Sequence, residues 1–91
     1  MKVILSPRAE LDIEIQLNWL AAHSPSAGRA ASLALLAALD LLAEFPDSAP
    51  RIAGDIREKA VRFGRDGFLI RYRRGANQLY ILHVRHGRQN R

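Results

Sequence analysis

Gly67-Phe68-Leu69-Ile70-Arg71-Tyr72-Arg73 is the stretch on which the fold turns. Read at a period of two, it separates Phe68, Ile70 and Tyr72 from Leu69, Arg71 and Arg73, as expected of a strand with one buried and one open face. Similar β candidates flank it, Arg57 to Phe63 before and Gln78 to His86 after. The turns between them fall at Gly64-Arg65-Asp66-Gly67 and Arg74-Gly75-Ala76-Asn77. Connections this short favour an antiparallel meander. Along the last strand, alternation sets Tyr80, Leu82, Val84 and His86 against Leu79, Ile81, His83 and Arg85. The simplest pairing buries the apolar sets and leaves Arg71, Arg73, His83 and Arg85 clustered on the open face, a platform for phosphate or carboxylate. An ordinary solvated sheet face is the alternative.

Upstream of the meander the period changes. Lys2 to Leu5 is a short apolar strand, and Ser6-Pro7 pairs an N-cap with proline at the first helical position. The helix that follows, from Pro7 to about Ala22, carries two apolar stripes. Ala9, Ile13, Leu17 and Leu20 form one, and Leu11, Ile15, Trp19 and Ala22 the other. One stripe can face the protein's own sheet, whereas the second needs another helix or a partner. Ser24-Pro25 repeats the start signal, and a second helix runs from Pro25 to about Phe45, where Pro46 stops it. Its stretch Leu33 to Leu39 is apolar all round, so it is either sandwiched or incompletely covered. Pro46 to Asp55 reads as a loop. The expected fold is α+β with the order βααβββ, a helical hairpin packed on a small antiparallel sheet.

The chain of 91 residues with 48% hydrophobic content is expected to form one domain spanning residues 1–91. It has no cysteine, so neither disulfides nor thiolate metal ligands supplement the core. Neither the apolar start nor the run from Leu33 to Leu42 approaches the roughly 20 residues of a membrane span. A cytoplasmic protein without membrane association is the expectation. The charge is unevenly placed. Residues 1–50 carry three cations against six acids, net −3, and residues 51–91 eleven against three, net +8. A split of this kind suits an anionic partner for the second half, either nucleic acid or an acidic protein segment.

No nucleophile elbow, phosphate-cradling glycine loop or serine–histidine–acid triad occurs. His83 and His86, three apart on a strand, project to opposite faces, so no metal site is expected, and no cofactor either. If the chain is an enzyme, its chemistry must come from Arg, Lys, His or Tyr. Such residues suit RNA cleavage, with His83, His86 or Tyr72 carrying protons and arginines clamping the phosphate.

Three stretches together resemble the ParE/RelE family of toxin–antitoxin toxins: Leu5-Ser6-Pro7-Arg8-Ala9-Glu10-Leu11-Asp12-Ile13, Gly67 to Arg73, and Ile81-Leu82-His83-Val84-Arg85-His86-Gly87-Arg88. The resemblance covers nearly the whole chain. It implies one of two activities, inhibition of DNA gyrase by ParE-like members or ribosome-dependent mRNA cleavage by RelE-like ones. The ending His86-Gly87-Arg88 followed by Gln89-Asn90-Arg91 looks more like ParE, because RelE-like enzymes place a tyrosine or histidine beyond this point. Gyrase is then the implied target, with Arg85, His86 and Arg88 on the target-binding side and no catalytic residues. On the RelE-like reading the catalytic set would be Arg62, Arg71, Tyr72, His83, His86 and Arg88. The family also implies a ParD-type antitoxin in a hetero-oligomer, bound through Leu11, Ile15, Trp19, Leu33, Leu36, Arg71 and Arg73. A non-toxic nucleic-acid-binding module is the third alternative.

Overall fold

A computed structural model describes residues 1–87. Its elements are β1 (Lys2–Leu5), α1 (Pro7–His23), α2 (Pro25–Glu44), β2 (Arg51–Ala53), β3 (Ile56–Val61), β4 (Phe68–Arg74) and β5 (Gln78–His86). The five strands form one sheet in the order β1-β5-β4-β3-β2. β1 runs parallel to β5, and the other neighbours are antiparallel. The architecture is α+β, with the helical hairpin packed on the sheet, as the patterning predicts.

Both helices start as Ser-Pro specifies. Ser6 Oγ accepts from Ala9 N at 3.0 Å and donates to Leu82 O at 3.1 Å, so the cap also ties α1 to β5. Ser24 ends α1 by donating its backbone N–H to Leu20 O, and begins α2 by accepting from Ala27 N. One residue thus serves as both caps, which makes the hairpin tight. Gly28 permits the close crossing, since a Cβ there would lie 3.0 Å from Ala21 Cβ and 3.1 Å from its Cα.

The core lies between sheet and hairpin. Phe68, Ile70, Tyr72, Leu79, Ile81 and Val84 are buried from the sheet, and Ala9, Ala31, Leu35, Ala38 and Leu42 from the helices. Each large apolar side chain so buried contributes about 1.5–3 kcal/mol, which is how so short a chain offsets its ordering entropy. Ile13, Leu17 and Leu20, the inner stripe of α1, pack at the margin of this cluster.

Two sequence expectations change. Arg51 to Ala53, inside the stretch read as a loop, forms β2 on the far edge of the sheet, and all three residues are exposed. No apolar alternation marked it, because only its backbone takes part. The strict alternation of β5 also fails. Arg71 pairs with His83 but Tyr72 pairs with Ile81, leaving Leu82 as the extra residue of a bulge. The phase therefore switches: Leu79, Ile81 and Val84 all face the core, whereas unbroken alternation would have turned Val84 away from Ile81. Tyr80, His83 and Arg85 pair with Arg73, Arg71 and Leu69 on the open side.

Candidate functional site

β1 covers β5 only from Gln78 to Ile81, so the remainder of β5 would be a bare edge. α1 closes it with side chains. Asp12 Oδ2 accepts from Val84 N at 3.0 Å, and Gln16 Nε2 donates to Val84 O at 3.2 Å. Spaced four apart, the two residues sit one turn above each other and together imitate the peptide of a missing strand. Asp12 Oδ2 also holds His83 Nδ1. Arg8 Nη2 lies 3.3 Å from His83 Nε2. A guanidinium only donates, so Nε2 accepts and the ring proton sits on Nδ1, facing Asp12. Ile15, Val84 and Arg85 complete a shallow groove around these residues.

On the open face, Arg71 and Arg85 of the expected platform are engaged. Glu58 stands opposite Arg71 across β3 and β4. Its Oε2 accepts from Arg71 Nη2 at 3.1 Å and Nε at 3.3 Å, and from Arg85 Nη2 at 2.7 Å. The Glu58 side chain is only 13% exposed, so this pairing is far less screened than a surface ion pair. Arg73 remains exposed, its guanidinium 5.9 Å from the centre of the Tyr80 ring.

Tyr72 does not share that face. It is fully buried, and its hydroxyl donates to Pro46 O at 2.8 Å. Burial pushes its pKa above the ordinary value, against smaller opposing effects of the Ala49 backbone and Arg57. A phenol held so cannot exchange protons with a substrate on the open face, which removes Tyr72 from the proton carriers named above. Around it Arg57 donates to Asp47 O at 3.1 Å and Ala49 O at 2.6 Å, and Arg74 pairs with Asp47. These bonds pin the segment that links α2 to the sheet. His86 pairs with Phe68 on the core side and meets its ring edge-on at 6.2 Å between centres. Arg62 follows β3 and is exposed in the turn that leads to Phe68. Arg88 lies outside the described residues.

The second stripe of α1 is open to solvent: Leu11 is 55%, Ile15 58% and Trp19 61% exposed. On α2, Leu33 and Leu36 are 68% and 55% exposed, while Leu35 and Ala38 between and beyond them are buried. The apolar surround of α2 is therefore divided, one side in the core and one side bare.

Sequence reasoning assembled Arg71, His83 and Arg85 but missed the acids that hold them. Glu58 was legible as the lone acid of the β3 stretch. Asp12 and Gln16 were legible as polar residues at helical spacing next to the inner stripe of α1. Neither pattern reveals which partner lies opposite without the register.

A family model describing the ParE toxin of type II toxin–antitoxin systems, parDE, matches residues 3–91. The chain belongs to the ParE toxin family. It is similar to two proteins of Caulobacter vibrioides. Toxin RelE1 is 32% identical over 89 residues, spanning 98% of this chain and 96% of that protein. Toxin RelE3 is 33% identical over 89 residues, spanning 98% and 97%. This ParE-family chain is thus a type II toxin of the ParE/RelE superfamily, and the family implies a cognate antitoxin as its partner.

Proposed function

We propose that this chain is a cytoplasmic ParE-like toxin that arrests DNA gyrase by binding it, and that a ParD-type antitoxin neutralises it in a hetero-oligomer. The observation that carries the binding reading is the dispersal of the proton carriers. Tyr72 is buried on the core side, His83 is held at the β5 edge by Asp12 and Arg8, and His86 packs against Phe68. General acid–base cleavage of RNA requires two such groups at one phosphate within hydrogen-bond reach. Binding requires no such convergence. The bare stripe of Leu11, Ile15 and Trp19 supports the antitoxin half of the proposal, because a helix laid along it would bury three large side chains at one-turn spacing.

Adding the purified toxin to gyrase and relaxed or supercoiled plasmid tests this directly. Loss of supercoiling or accumulation of cleaved DNA is expected, and unchanged supercoiling without cleaved DNA would sink it. The names of the two Caulobacter relatives favour a second reading, a RelE-like ribosome-dependent ribonuclease. Primer extension on cellular mRNA after induction separates the two: codon-linked cuts would replace the gyrase reading, and their absence supports it.

A further inference from the structure

Arg71 and Arg85 project from adjacent strands toward one point of the open face, and the atom at that point is Glu58 Oε2, with three guanidinium N–H groups aimed at it within 3.3 Å. Converging N–H groups from two guanidinium ions are the arrangement that takes a phosphate oxygen. Around it the face is strongly positive. By register Lys2 and Arg73 lie on the same side as Arg71. Glu58 is the single acid that β3, β4 and β5 contribute to this face. Among the described residues, Arg85 Nε is buried with no hydrogen-bond partner, so the carboxylate does not exhaust the donors of the pair.

We propose that Arg71 and Arg85 form a clamp for the backbone phosphate of single-stranded nucleic acid, and that Glu58 occupies it as a built-in counter-anion. The carboxylate is tethered to the neighbouring strand, so it competes at an effective concentration that a free phosphate does not match. The face is thereby kept from general polyanion binding. This goes beyond the gyrase reading and does not depend on it.

The test uses the full chain and a fluorescein-labelled 12-nucleotide RNA, with the same sequence as DNA in a parallel arm, and neither gyrase nor antitoxin present. Glu58→Gln keeps the side-chain shape and removes the charge. It is expected to bind the RNA at least tenfold tighter than wild type at low salt. Freeing two cations should steepen the slope of log K against log salt by about 1.4, at roughly 0.7 per neutralised phosphate on a single strand. Arg71→Gln/Arg85→Gln added to Glu58→Gln is expected to abolish the gain. In the wild-type background that pair, which also leaves the Glu58 carboxylate uncompensated, is expected to lower affinity only modestly and to change the slope by far less than the roughly 1.4 gained on freeing the clamp, a comparison that does not rely on the Glu58 variant. An equal gain on DNA identifies phosphate alone as the ligand, and a gain on RNA only adds the 2′-hydroxyl. A folded Glu58→Gln with unchanged affinity and slope overturns the proposal. So does a wild-type slope that falls by about 1.4 or more when Arg71 and Arg85 are replaced.

Discussion

Tyr72 shows how one hydroxyl can decide a residue's role. The strand phase carries its ring into the core, and the phenol survives there because Pro46 O accepts from it at 2.8 Å. Tyr72→Phe is expected to cost about 1 kcal/mol in urea denaturation, the net worth of a neutral hydrogen bond together with an orphaned carbonyl. Because burial raises the phenol's pKa, the unfolded chain loses this proton at lower pH than the folded one. The contribution is therefore complete below about pH 10 and declines as pH rises toward the folded value. Stability measured from pH 8 to 11 should show that decline in the wild type and less of it in Tyr72→Phe. Asp12 carries a different load, the Val84 N–H and the His83 ring at once. Asp12→Ala leaves that edge amide unpaired and is expected to cost about 1–3 kcal/mol. Asp12→Asn keeps an acceptor and should cost less, and equal losses in the two variants would contradict the edge role. Gly67 is set by backbone alone: φ is +66°, and a Cβ would lie 2.3 Å from Val61 O. Gly67→Ala should lower stability by about 1–3 kcal/mol, read from the denaturation midpoint.

At the scale of elements, α1 does three things with three faces. Ile13, Leu17 and Leu20 join the core, Asp12 and Gln16 seal the β5 edge, and Leu11, Ile15 and Trp19 remain outside. The third face is separable from the other two, which gives a clean prediction. Ile15→Ala and Trp19→Ala should shift the folding free energy of the isolated toxin by no more than about 0.5 kcal/mol, as for surface substitutions generally. If the stripe is the antitoxin's seat, Trp19→Ala should weaken antitoxin binding by about 30-fold in calorimetric titration, the loss of one hot-spot aromatic at about 2 kcal/mol. Unchanged affinity would move the antitoxin elsewhere. The bulge at Leu82 is the corresponding device in β5. It lets one strand keep Ile81 and Val84 in the core while delivering His83 to Asp12 and Arg85 to Glu58.

For the molecule as a whole, the division of charge is the feature with the longest reach. An N-terminal half at −3 and a C-terminal half at +8 give the chain a strong dipolar character. An acidic antitoxin segment should associate faster at low salt, with the association rate falling as ionic strength rises and the dissociation rate changing little. A saturating antitoxin should also raise the melting temperature, since it binds the folded toxin only. Equal melting temperatures with and without it would contradict binding to the folded toxin. The sequence alone determined the periodic elements: two Ser-Pro helix starts, the two stripes of α1, the strands of the meander and the charge split. These are local, set by neighbours within a few residues, and they carried the α+β fold and the family resemblance. Three decisions belonged to the tertiary structure. β2 forms because β3 offers it a backbone ladder, the phase of β5 changes because Leu82 has no register partner on β4, and Arg71 and Arg85 are occupied because Glu58 stands opposite Arg71. Each depends on register between segments distant in the chain. A sequence shows which residues carry charge, and only the pairing of strands shows which of those charges are already satisfied.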